Sequence, residues 1–186
     1  ALAAAGVCLV AATAHIAGIL GDSAAAERYE RLASELASKV NERFWVEEED
    51  SYADFYGTRA QAISAAAGAI KQIGLKGESK LTPRDRQLIG YYEQLKQKFS
   101  AMPDGSRGWT TNKNWVITTP METGIAPQAR AIRALDKIRS EDVGPYGPFL
   151  SAVERGAMMT ISTGVQAVSE ANYGRIDNAL WYVDRI

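Results

Sequence analysis

Four times along the chain a helical stretch of small or apolar residues is followed by one whose apolar residues keep to a single side. Residues 2 to 20 are apolar on every side, as befits a helix covered from several directions. GDSAAAERYERLASELASKVNERFW follows, with Asp22 or Ser23 placed to cap a helix and Tyr29, Leu32, Leu36, Val40 and Phe44 at helical spacing. The contrast returns in TRAQAISAAAGAIKQIG (58 to 74) and PRDRQLIGYYEQLKQKF (83 to 99). In the second of these, Pro83 suits a first helical turn, and Leu88, Tyr91, Tyr92, Leu95 and Phe99 form the apolar side. A third, less regular pair joins WVITTPMETG (115 to 124) to APQARAIRALDKIRS (126 to 140), where Pro127 fits a helix start. The fourth joins MMTISTGVQAVSEANYG (157 to 173) to RIDNALWYVDRI through Gly174. VGPYGPF is broken by Gly and Pro, and WVITT is too short to carry a sheet, so the pattern predicts an all-α chain. Consecutive hairpins of this kind build either an α-solenoid or a closed double ring of helices. No fixed repeat period is visible.

With 186 residues, 46% of them apolar and 23% charged, the chain supports one globular domain with a sizeable core. Its formal net charge of -1, from 21 basic and 22 acidic residues that are scattered, gives no electrostatic footprint for nucleic acid or an anionic membrane. The apolar opening lacks a basic flank and carries His15, so it reads as a buried helix and not as a leader or a membrane span. His15 and the single cysteine, Cys8, read as core residues. One histidine and one cysteine provide neither a metal site nor a disulfide. The chain reads as soluble, with the cytoplasm, the periplasm and the exterior all open to it. No phosphate loop, dinucleotide fingerprint, HExxH, CxxC or GxSxG motif is present, so no cofactor is implied.

The connections at 45 to 57, 100 to 114 and 140 to 157 are long and aromatic, the kind of loop on which a rigid helical scaffold builds a site. In the first, Glu47 to Asp50 reads as a solvated turn. Asp54, flanked by Tyr52, Phe55 and Tyr56, has two readings: a cap for the helix that follows Thr58, or a carboxylate at the mouth of an aromatic pocket. Trp109 and Trp115 offer flat apolar faces with an N–H donor, which match either a core or a sugar ring. Glu122 is a candidate acid or base, or else a carboxylate bonded to backbone N–H groups. Tyr146 sits between two Gly-Pro turns, and Asp142 and Glu154 read as surface carboxylates. Carboxylates and aromatics without metals or nucleotide motifs suit glycoside hydrolysis, in which one acid protonates the leaving oxygen and a second carboxylate activates water or attacks.

Three stretches carry a resemblance to a family: GDSAAAERYERLASELASKVNERFW with SYADF; NWVITTPMETGIAPQARAIRALDKI with VGPYG; and MMTISTGVQAVSEANYGRIDNALWYV. Together they span most of the chain and resemble the bacterial six-hairpin glycosidases, especially glycogen-debranching (amylo-α-1,6-glucosidase-like) and α-L-rhamnosidase-like proteins. The resemblance implies an (α/α)6 toroid whose loops at one end hold a sugar, of which about four hairpins of six are readable here. It implies that residues 1 to 186 are one helical domain, a truncated portion of a larger catalytic domain, and leaves open whether the general acid and base lie outside it. It matches Asp54, Trp115, Glu122 and Tyr146 to substrate-facing positions. The expected function is part of a glycoside hydrolase acting on α-linked glucan or rhamnose- or glucose-containing oligosaccharides, Glu122 being the catalytic candidate and Asp54, Tyr56, Trp109, Trp115 and Tyr146 binding substrate. An α-solenoid interaction scaffold and a non-hydrolytic carbohydrate-binding relative are the alternatives. An open arc of hairpins also predicts self-association through uncovered helix faces.

Overall fold

The computed structural model describes residues 2–111 and 115–186, apart from the side chains of Leu2 and Trp115. It is mostly helical, with eight α-helices among the described residues. Helices α1 (Leu2–Ile19) and α2 (Ser23–Phe44) form an antiparallel hairpin turned at Gly21, whose φ is 79°. Asp22 caps α2 by accepting from the Ala25 N–H at 2.9 Å. Val7 of α1 meets Ala33 and Val40 of α2. That contact covers only one side of α1. Leu9, Ile16, Ile19 and Leu20 lie exposed, His15 is exposed as well, and Cys8 is half-buried. The expected core histidine is therefore a surface one, because α2 and a small contact with α5 cover one stripe of α1 and His15 lies off it.

Short antiparallel ribbons replace the expected absence of strands. Trp45–Val46 (β1) pairs with Ser51–Tyr52 (β2), Phe55–Thr58 (β3) with Arg107–Thr110 (β4), and Val143–Gly144 (β5) with Gly147–Pro148 (β6). The Gly and Pro residues at 144 to 148 do not forbid the last ribbon. Gly147 takes φ 127°, and Pro148 lies on a two-stranded ribbon, where every strand is an edge.

The β3–β4 ribbon changes the organisation. Residues 59–106 leave and rejoin it as one excursion, which contains helices α3 (Arg59–Gly74) and α4 (Pro83–Ser100). Both helices start with capping boxes, Thr58 with Gln61 and Thr82 with Asp85, and Pro83 occupies the first turn as expected. Ala62, Ala66, Ala69 and Ile73 of α3 pack on Leu88, Tyr92, Leu95 and Phe99 of α4, with Ala152 and Val153 joining them from the third connection. Small residues let α3 approach the ribbon closely: a Cβ on Gly108 would stand 2.5 Å from Ala62 Cβ. The Arg59 N–H donates to the Ser106 carbonyl at 3.0 Å, and its guanidinium pairs with Asp104 at 2.5 Å, closing the base of the excursion.

The third pair, unlike the first two, is not a regular hairpin. A 3-10 turn (Trp115–Thr118) leads into a single α-turn, α5 (Thr119–Glu122), and then α6 (Gln128–Glu141). A run of β-branched residues disfavours helix there, Pro120 supplies no N–H, and Gly124 at φ 70° ends the turn. Met121 and Ile117 bury against Ala131, Ala134, Leu135 and Ile138 of α6 together with Trp45 and Tyr52, while α5 also lies on α7 (Thr160–Asn172). Gly174, φ 73°, turns α7 into α8 (Ile176–Val183). The buried side of α7 is polar, with Ser162, Thr163, Gln166, Ser169 and Glu170 all inaccessible or nearly so. Glu170 accepts from Arg175 Nε at 2.5 Å, and Arg175 also reaches Asp136 at 2.7 Å, so this buried carboxylate is neutralised by a cation. No helix among the described residues is long and apolar enough to cross a membrane.

Candidate functional site

The acidic run in the first connection is a surface turn, as expected, with Glu47 and Glu48 exposed, and it is also heavily paired. It forms a 3-10 turn (Glu47–Glu49) between β1 and β2, and each carboxylate meets a cation. Arg133 binds Glu47 at 2.6 Å and also pairs with Asp50; Lys98 pairs with Glu48; Lys137 stands 3.6 Å from Glu49. The Trp45 indole N–H donates to Glu47 at 2.6 Å, and this bond together with Arg133 holds the Glu47 carboxyl below its ordinary range. The run thus pins the first connection between α4 and α6.

Two tyrosines of α4 gather the other connections. The Tyr91 hydroxyl lies 2.9 Å from Thr111 Oγ1, and the Tyr92 hydroxyl donates to the Thr111 carbonyl at 3.3 Å. Burial pushes both phenols up; Glu49 reinforces the shift at Tyr91, while Asp54, Asp142 and Glu49 reinforce it at Tyr92. Carboxylates of the first and third connections thus add to the effect of burial on the Tyr92 phenol. Asp142, expected at the surface, is buried and 3.3 Å from Arg155, whose other nitrogen donates to the Glu141 carbonyl at 2.7 Å. Glu154 is exposed as expected.

Beside this centre lies a cleft of about 230 Å³. Glu49 comes to it from the first connection, Thr111 from the second, Glu141 from the start of the third, and Arg84, Gln87 and Tyr91 from α4. Arg84 and Glu141 are 3.9 Å apart across it, and the buried Arg84 Nε has no hydrogen-bond partner among the described residues.

The sequence-predicted residues are only partly united. Asp54 is half-buried, and its charge helps to raise the Tyr92 phenol; it is not the helix cap, a role Thr58 fills with its own side chain. Tyr56 and Trp109 are direct cross-strand partners on β3–β4. Trp109 packs edge-on against Phe99, ring centres 5.8 Å apart, and under Lys98, so it belongs to the core of the excursion. Tyr56 lies against Phe44 and Arg107. Glu122 is half-buried at the end of α5, its carbonyl held by Asn172 Nδ2 at 2.7 Å. Tyr146 stands exposed at the tip of β5–β6. The Trp115 side chain lies outside the described residues.

Glu49, Arg84, Gln87 and Tyr91 are the site residues that the loop reading passed over. A signal for three of them is present: Arg84, Gln87 and Tyr91 recur at i, i+3 and i+7, a stripe bordering the buried one of Leu88, Tyr92, Leu95 and Phe99. Set against known proteins, the chain matches no protein-family model and no curated sequence.

Proposed function

We propose that the chain is part of the catalytic domain of a glycoside hydrolase acting on an α-linked glucan or a rhamnose- or glucose-containing oligosaccharide. Its helical hairpins belong to an (α/α)6 toroid, and Glu122 acts as an acid or base near a substrate held by the loops. One observation supports this most: carboxylates from the first and third connections, Glu49 and Glu141, line one polar cleft together with Arg84, Gln87, Tyr91 and Thr111. Glycosidic cleavage needs carboxylates brought from different parts of a scaffold and hydroxyl-binding groups next to them. Asp54 in this reading binds a sugar hydroxyl, while the tyrosines remain protonated donors through the neutral range because burial raises them.

The test is release of reducing sugar by the full-length protein from α-1,4- and α-1,6-linked gluco-oligosaccharides and from aryl α-rhamnosides. Glu122→Gln is expected to lower kcat by roughly 10²–10⁴-fold, the range of general acid or base catalysis. Turnover unchanged in this variant reassigns Glu122 to a structural role. A folded full-length protein that neither binds nor cleaves any of these sugars sinks the reading.

A further inference from the structure

We propose that the α3–α4 excursion supplies the selective wall of a subsite for one neutral sugar ring, bound in the cleft between α4 and the remainder of the chain. This deepens the carbohydrate reading above and rests on it. The cleft exists only because residues 59–106 fold back from the β3–β4 ribbon: the apolar stripe of α4 closes onto α3, and the neighbouring stripe of Arg84, Gln87 and Tyr91 is left facing Glu49, Thr111 and Glu141.

The lining identifies the ligand by its chemistry. Carboxylates only accept, a guanidinium only donates, and the hydroxyls and amide here do both. A sugar hydroxyl also does both, so adjacent hydroxyls can bridge a carboxylate and a guanidinium on opposite walls. Arg84 is held ready by Gln87, whose Oε1 accepts from its Nη1 at 2.9 Å. Its Nη2 stands 3.9 Å from the Glu141 carboxylate, beyond hydrogen-bond length, so a ligand hydroxyl can accept from the one and donate to the other.

Charge favours a neutral ligand. Lys137 faces Glu49 at 3.6 Å and Arg84 faces Glu141 at 3.9 Å, so each carboxylate of the cleft already has its cation and neither an anion nor a cation is called for. Leu88 and the Tyr91 ring give apolar surface for a ring face. At about 230 Å³ the cleft is smaller than the roughly 300–1,000 Å³ of pockets for larger ligands, which limits it to a single ring.

The experiment titrates the protein with methyl α-glucopyranoside and methyl α-rhamnopyranoside, following heat or ligand NMR signals, and compares Arg84→Ala and Gln87→Ala. Gln87 is exposed on a helix, so its variant folds even where Arg84→Ala does not. Each substitution is expected to weaken binding at least about fivefold, with backbone amides of α4 protected from exchange by the sugar in the unsubstituted protein. Saturable binding that neither substitution changes, lost instead in Tyr146→Ala or Trp115→Ala, overturns the subsite and leaves the carbohydrate reading standing. Absence of saturable binding for both sugars overturns the two together.

Discussion

The first two hairpins look alike as sequence and end differently as structure. Each sets an alanine-rich helix before an amphipathic one, yet α3 is buried along Ala62, Ala66, Ala69 and Ile73 while α1 leaves Leu9, Ile16, Ile19 and Leu20 in solvent. The difference lies outside the helices. The β3–β4 ribbon clasps the second hairpin at its base, and the third connection covers it with Ala152 and Val153; the first has no such cover beyond α2 and a few neighbours. Patterning tells each helix which side is apolar, and the connections decide whether that side is covered.

The sharpest way to break this comparison is to truncate one side chain in each hairpin. Phe99 is almost wholly buried, lies edge-on to Trp109 and packs near Gly108, so Phe99→Ala is expected to cost about 3–5 kcal/mol. Leu32, at an equivalent place in the apolar pattern of α2, is 38% exposed, and Leu32→Ala is expected to cost under about 1 kcal/mol. Urea unfolding of the two variants gives both numbers. Equal costs would mean that the first hairpin is as well covered as the second.

The same contrast explains what could be read from sequence. Most helix positions, the Asp22 cap, the Pro83 start and the Gly174 turn are legible, since each depends on residues within a turn or two, whereas the helix expected over 115 to 124 is reduced to a 3-10 turn and one α-turn. The β3–β4 pairing is not legible, because FYGT and RGWT are four residues each, lie some fifty residues apart and carry no local sign of one another. Without that ribbon the second hairpin shows no sign of what clasps its base. The partners of single residues are hidden in the same way. Asp142 reads as a surface carboxylate until Arg155 is folded over it, and the EEED run, a surface turn in sequence and structure alike, shows its partners only when distant helices bring Arg133, Lys98 and Lys137 to it. Asp54 stands among aromatic neighbours in sequence, and the phenol its charge acts on is that of Tyr92, from the excursion.

A finer contrast lies in two N-terminal carboxylates. Asp22 of α2 caps in the open, whereas Asp85 in the first turn of α4 is buried. Burial alone would raise the Asp85 pKa, but Lys76 at 2.7 Å and the Thr82 N–H and hydroxyl outweigh it and hold the carboxyl at about 2. A carboxyl lower in the folded chain than in the unfolded one stabilises above its unfolded pKa, near 3.8, and loses that stabilisation as pH falls toward 2. At neutral pH the contribution is about 2 kcal/mol. Asp85→Asn is therefore expected to lower stability by about that much at pH 7 and by progressively less between pH 4 and pH 2. Asp22→Asn, which keeps a good cap, should change it by about 0.5 kcal/mol or less at either end. A difference at Asp85 that stays constant with pH would separate the cap from its charge.

The smallest effect on stability should come with the largest effect on association. Leu9, Ile16 and Leu20 run along one exposed side of α1, a helix without a single charged residue, and Ile176, Leu180 and Val183 do the same on α8. Apolar stripes of this length are rarely left open in solution. The chain of residues 1–186 is expected to self-associate at micromolar concentrations in sedimentation velocity. Ile16→Glu and Leu180→Glu should each shift it toward monomer while changing unfolding free energy by no more than about 0.5 kcal/mol, because neither side chain has a covered neighbour to lose. If the unsubstituted chain sediments as a single monomer at those concentrations, both stripes are ordinary surface. The distinction between a clasped hairpin and two uncovered ones would then carry no consequence for assembly.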